Sequence, residues 1–136
     1  MSTWIVRANP ARFRIHDFIS DNGFVEYNQK MRFCVGDTVY LYITAPYKRV
    51  EYKMVVERID IPLSKAFDDS SYFLVNPIPL LDDDVFVRFK CIARVQTDEL
   101  CYKKLLEHDF NYTMQSDRQI NSETEAYIER FFSEKC

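Results

Sequence analysis

The sequence predicts an α+β fold, a small β structure that turns sharp corners and is flanked by helices. Three observations carry that expectation. Apolar residues recur at every second position through 38–44 and 84–96, the apolar parity of a longer strand at 49–61 switches part-way, and i, i+3, i+4 apolar stripes lie toward both ends of the chain. At 136 residues the chain has the commonest size of one domain, so a single domain over 1–136 is expected. With 47% hydrophobic and 29% charged residues, the composition excludes wholesale disorder and a collagen-like chain.

The elements follow in order. Thr3 to Ala8 reads as a first strand, and Asn9-Pro10 as the cap and first position of a helix running to about Asn22. Ile15, Phe18 and Ile19 form its apolar stripe, and Gly23 supplies a left-handed residue to end it. The mixed segment from Phe24 to Lys30 is expected to be an ordered loop. Val35-Gly36-Asp37 is a turn, after which Val39, Leu41 and Ile43 share one strand face and Tyr40, Tyr42 and Thr44 the other. In Arg49 to Ile61 the residues Val50, Tyr52, Met54 and Val56 share a face but Ile59 and Ile61 do not. A bulge near Glu57-Arg58 reconciles the two halves, and such bends are how small barrels turn corners. Pro62, Pro77, Pro79 and Asp82-Asp83-Asp84 mark a long excursion around Phe67, Tyr72 and Phe73, with a little helix. Asp84 to Gln96 is the next strand, with Arg88, Lys90 and Arg94 on its polar face. A helix from about Asp98 to His108 follows, then a polar segment from Phe110 to Ile120 that reads as a short strand or site-forming loop. Ser122-Glu123-Thr124-Glu125 is a capping box opening a last helix with Tyr127, Ile128, Phe131 and Phe132 as its core stripe.

Several function classes lose ground on composition. The only glycines are Gly23 and Gly36, which leaves no phosphate-cradling loop of the P-loop or dinucleotide type. A net charge of -3 argues against a strongly electrostatic nucleic-acid binder, although residues 1–58 carry nine basic and six acidic side chains and so lean positive. Cys34, Cys91, Cys101 and Cys136 are too widely spaced for a metal site. Free thiols, with Trp4 and Arg7 interrupting any apolar start, lead us to expect a cytoplasmic protein. No apolar run approaches the roughly 18 residues of a membrane span.

Catalytic constellations are also wanting. His16 and His108 each precede an Asp, but helix neighbours point apart, so both are read as exposed or helix-terminal histidines. The three aspartates at 82–84 read as a solvated, strand-breaking loop. No metal, no cofactor and no enzymatic activity are therefore expected. The positive signal is aromatic rings set among amides and hydroxyls: Tyr27-Asn28, Tyr42 with Thr44, Tyr72-Phe73, and Tyr112 with Gln115, Asp117 and Arg118. Rings plus a few donors and acceptors suit a planar base or heterocycle. Stacking contributes roughly 1–3 kcal/mol per base, comparable with the few kcal/mol that extracting a base from a duplex costs.

The order of these segments resembles a known family. The opening Thr3-Trp4-Ile5-Val6-Arg7-Ala8-Asn9-Pro10 followed by a helix is similar to the start of EVE domains, and Phe33 to Thr44 is similar to their "kxGDxvyxY" strand. Related YTH domains, also PUA-like, show a similar order. The resemblance implies an EVE-type, PUA-like mixed β pseudobarrel flanked by helices, with a pocket reading modified bases in DNA or RNA. Carried over by position, it implies Arg7 and Asn9 after the first strand, Tyr27 and Asn28 in the pocket loop, Thr44 at a strand end, and Gln115, Asp117 and Arg118 in the late polar segment. Family members commonly place Trp in the pocket loop, where this chain has Tyr27, and Trp4 is expected in the core.

The preferred expectation is a non-enzymatic module binding a methylated or hydroxymethylated base. Its ligand residues would be Arg7, Asn9, Tyr27, Asn28, Tyr42, Thr44, Gln115, Asp117 and Arg118, with Arg12, Arg14, Lys48 and Arg49 on phosphates. Its partners would be nucleic acid and a separate effector protein, and no membrane. The alternative is a PUA-like domain that binds a small molecule or a protein partner without nucleic acid. An enzyme acting on a nucleobase is the third reading and would need a metal set or a poised base.

Overall fold

The structure is a computed structural model describing residues 2–76, 79–114 and 117–133. Thr3–Ala8 form β1, Ile15–Asn22 α1, Phe24–Asn28 β2, Thr38–Ile43 β3, Arg49–Pro62 β4, Val85–Arg94 β5, Tyr102–Leu106 α2, Arg118–Gln119 β6 and Ser122–Ser133 α3. One six-stranded sheet runs β2-β5-β4-β3-β1-β6. β1 lies parallel to β3, and the other ladders are antiparallel. The α+β class and the mixed sheet are as expected. The barrel is not: β2 and β6 remain sheet edges, and among the described residues no ladder closes them. What spans the gap on the β2 side is a side chain, the Tyr27 hydroxyl donating to the Arg7 carbonyl at 3.2 Å.

Alternation in β3 sorts side chains into two cores. Val39, Leu41 and Ile43 pack with Ile15, Phe18 and Ile19 of α1, and Tyr40 and Tyr42 with Leu105, Ile128 and Phe132 of the other helices. Both faces are covered, so Tyr40 and Tyr42 are interior as well. Burial pushes the Tyr42 phenol up to about 12, and the Tyr40 hydroxyl donates to Glu129.

Local competition moves several boundaries. Asn9 caps only a turn: its side chain accepts from Ala11 N–H at 3.0 Å, and Phe13 then bridges Phe73 in extended conformation. A helix cannot pass through that bridge, so α1 begins at Ile15; it ends as expected, with Gly23 at φ 77. The expected loop at Phe24 to Lys30 instead contains edge strand β2, paired with β5 from Phe24↔Lys90 to Asn28↔Phe86. Val25 and Tyr27 do alternate with Glu26 and Asn28, but the strand is only five residues long, and the face that carries Glu26 is buried as well, against the excursion. β4 breaks register around Arg58 as expected, but it also bulges at Glu51, where Tyr52 opposes Leu41 and Val50 opposes Tyr42. That extra residue separates Val50 from the face shared by Tyr52, Met54 and Val56. The helix expected at 98–108 splits, because Cys101 bridges Arg49 and leaves α2 to start at Tyr102. Asn121, not Ser122, caps α3, its side chain accepting from Thr124 N–H at 2.9 Å.

Trp4 is a core residue, and Asp37 shows why. The buried Asp37 carboxylate accepts from Trp4 Nε1 at 3.0 Å, from Cys34 N–H at 3.0 Å and from Ser2 N–H at 3.1 Å, tying the strand start to the turn. Burial alone would raise its pKa, but the bonds from Cys34, Trp4 and Ser2 outweigh burial and hold it below the usual value. A depressed carboxyl contributes stability above its unfolded pKa of about 3.9 and loses it as pH falls through the folded value. We expect Asp37→Asn to cost about 1–3 kcal/mol in urea unfolding at pH 7 and to lose less stability than the parent on acidification below pH 4. Parallel acid limbs for the two proteins would remove Asp37 from the acid response.

Candidate functional site

Beneath the excursion between β4 and β5 lies a cavity of about 1070 Å³, walled by the end of β1, the Asn9–Phe13 turn, β2 and the excursion itself. Its position follows from how the excursion is anchored. Arg14 N–H donates to Tyr72 O at 2.8 Å and Leu74 N–H to Arg12 O at 2.9 Å, which lays the excursion against the turn before α1. Phe67 N–H donates to Glu26 Oε1 at 2.7 Å, which pins the other end to β2. Glu26 itself is 7% exposed and its Oε2 receives Arg88 Nη2 at 2.6 Å across the ladder, so a buried carboxylate holds strand, neighbour and excursion together.

Rings form much of the lining: Phe13 against Phe73 at 4.8 Å, with Tyr27, Phe67 and Phe86 around them. Charge is divided between the walls. Arg7, Arg12 and Lys30 come from the β1 and β2 sides, while Asp68, Asp69 and Asp84 come from the excursion. Arg7 N–H donates to Asp117 Oδ1 at 2.9 Å, and Arg7 O takes the Tyr27 hydroxyl, so three segments meet at one backbone unit. Burial raises the pKa of Asp117 and, more strongly, that of the Tyr27 phenol, which therefore stays protonated as a donor. Burial raises Asp69 as well, with Asp68 and Glu26 adding to the effect.

Of the residues singled out from the sequence, Arg7, Asn9, Arg12, Tyr27 and Asn28 come together at this cavity. Asp117 stands beside them on Arg7. Arg118 is placed by β6 with its guanidinium 3.9 Å over the Tyr112 ring. Gln115 lies outside the described residues. The others are elsewhere. Tyr42 is buried in the second core, and Thr44 donates its N–H to Ala8 O just beyond β3. Arg14 pairs with Asp17 at 2.9 Å, Lys48 sits in the β3–β4 turn, and Arg49 is engaged by Glu51 and Asp98 at 2.9 Å each. Sequence reading missed Phe13, Glu26, Lys30 and Asp69 as lining. Only the aromatic density of the excursion hinted at them.

A second cluster surrounds the bulge. Glu51, 1% exposed, accepts from Arg49 and Arg94, and His16 Nδ1 lies 2.6 Å from the Tyr52 hydroxyl and 3.1 Å from Arg94. His16 is thus half-buried at the start of α1 and not exposed; burial, then Arg94, lowers its pKa. His108 stacks on Tyr127 at 3.6 Å between ring centres. Among the described residues no group of three or more His, Cys, Asp or Glu is placed to hold a metal ion. No described helix is long and apolar enough to cross a membrane.

The chain's shape matches solved structures over nearly its whole length. It aligns with ASCH from Zymomonas mobilis at a TM-score of 0.64 and 12% identity, covering 95% of this chain and 94% of that one. It aligns with Rpa0253 from Rhodopseudomonas palustris at 0.65 and 12%, covering 98% and 94%, and with a hypothetical protein from Leishmania major at 0.62 and 18%, covering 99% and 96%. ASCH domains belong to the PUA-like superfamily. The fold is PUA-like. No family model matches the sequence, and no curated protein matches it. Identities this low concern the fold alone, so the cavity is described by its own residues.

Because Glu26 holds both Arg88 and the excursion, Glu26→Ala is expected to destabilise the protein by about 3–5 kcal/mol and to speed amide exchange at Phe67. Wild-type protection at Phe67 in the variant would show that the excursion is held some other way.

Proposed function

We propose that this PUA-like chain is a non-enzymatic module that holds a modified nucleobase of DNA or RNA in the cavity beneath the excursion, as EVE-type domains do. The carrying observation is the meeting of stacking rings with Arg7, Asn9, Arg12, Tyr27 and Asn28 around one cavity of about 1070 Å³. Ligand pockets commonly measure about 300–1,000 Å³, so this one has room for a base with its sugar and phosphate. Tyr27 offers a ring face, fixed by its bond to Arg7 O, and Asn9 and Asn28 offer donors and acceptors for a base edge. Asp117 acts through Arg7 by holding the β1 end in place. Arg12 and Lys30, which have no ion-pair partner among the described residues, would take phosphates. Arg14 and Arg49 would first have to leave their carboxylates.

The acidic excursion wall favours a second reading, in which the same cavity takes a small cationic or amine-bearing molecule and no nucleic acid. Titration of short oligonucleotides carrying plain, methylated or hydroxymethylated bases, at low and moderate salt, separates the two. The proposal expects affinity that falls with salt and favours one modification, with discrimination lost in a folded Tyr27→Ala variant. Absence of binding to every oligonucleotide at both salt levels would sink it and leave the small-molecule reading.

A further inference from the structure

We infer that the base this cavity accepts is a cationic one, a nucleotide whose ring nitrogen is quaternised by methylation, seated with its charge toward Asp69 and its phosphate toward Arg12 and Lys30. The inference rests on the proposed base-holding function and narrows its ligand class.

The argument begins with the two charged walls. Opposite charges that share a cavity normally pair with each other, yet among the described residues Arg12 and Lys30 form no ion pair, and Asp69 has no donor but its own backbone N–H. The other acids nearby are already engaged: Glu26 by Arg88 and Phe67 N–H, Asp68 by Ser70 and Asp84 by Leu81 N–H. Asp69 is therefore the carboxylate left to meet a ligand. It is half-buried, and a desolvated carboxylate without a cation is costly. A cation of matching shape relieves that cost.

Aromatic lining sharpens the choice. Phe67 and Phe73 belong to the excursion as Asp69 does, Phe13 meets Phe73 from the turn before α1, and Phe67 is 39% exposed. Ring faces attract cations, most strongly where water is excluded, and rings joined with a carboxylate are the equipment that holds quaternary ammonium groups. A quaternised base supplies a delocalised positive charge and a flat surface for stacking together. A neutral modified base would gain the stacking and leave Asp69 unpaired. At the other wall Arg12 and Lys30 require an anion, which distinguishes a nucleotide from a methylated amine or a free cationic heterocycle.

The test uses two isomers. 1-Methyladenosine 5′-monophosphate and N6-methyladenosine 5′-monophosphate are isomers with their bases neutral, but at pH 7 only the first keeps an extra proton and has a cationic base. Calorimetric titration of the full chain with each, with adenosine 5′-monophosphate and with the nucleoside 1-methyladenosine, should show the 1-methyl nucleotide binding at least tenfold tighter than its isomer. Removing its phosphate should weaken it. Asp69→Asn, nearly isosteric, should cut the preference between the isomers to below threefold, while Arg12→Ala should weaken both by a similar factor. Equal affinity for the two isomers would overturn the inference and leave the base-holding function standing. Failure of every nucleotide and of the modified oligonucleotides would remove both. A preference for the 1-methyl isomer that survives Asp69→Asn would also overturn it, since the charge would then be read elsewhere.

Discussion

A carboxylate inside an edge strand is the constraint on which the candidate site depends. Glu26 lies on the face of β2 opposite the core residue Val25, buried against the excursion, and its charge would cost several kcal/mol if left alone in that setting. The ladder places Arg88 directly opposite, and the remaining lone pairs are taken by the N–H of Phe67, far along the chain. Satisfying one charge thus fixes the start of an excursion that has no strand of its own. The aromatic wall of the cavity exists because that excursion has a defined path.

The same device recurs where the chain departs from regular structure. Asp37 sits at the turn before β3 and gathers N–H groups from both sides of it. Glu51 is the extra residue of the β4 bulge and takes two arginines. In each case the backbone irregularity leaves donors without ladder partners or turns a side chain away from its expected face, and a buried carboxylate answers it. Apolar packing specifies the two cores; buried acids specify the turn, the bulge and the excursion between them. A bulge that redirects Glu51 is also what brings His16, Tyr52 and Arg94 together.

This division explains what could be read from the sequence. The regular strands β1, β3, β4 and β5 and the stripes of α1 and α3 announce themselves by period, because apolar burial at fixed spacing is a local property. Arg7, Asn9, Tyr27 and Asn28 were legible as a group only through resemblance in segment order, since nothing local says that β1 and β2 meet. β2 was illegible because it is only five residues long, and the purpose of Glu26 is clear only beside Arg88 and Phe67. The turn at Asn9 shows the converse failure: a sound helix start was overridden by the bridge from Phe13 to Phe73, a contact across sixty positions. Arg14 and Arg49 look like free cations in a sequence and are ion-paired in space.

The pairing of those arginines changes what kind of binding this surface supports. Counterion release scales with the number of phosphates neutralised, and a guanidinium already spent on Glu51 neutralises none. With Arg12 and Lys30 as the cavity's unpaired cations among the described residues, the electrostatic share of any nucleic-acid affinity is small and its salt slope shallow. Most of the affinity must then come from inside the cavity, from stacking and hydrogen bonds on walls that are already held in place. Pre-built walls reduce the ordering cost of association. On the proposed base-holding function, a chain with net charge -3 would discriminate at one base while holding the surrounding strand only weakly, and tight occupancy of a long nucleic acid would require a second protein to supply the backbone contacts.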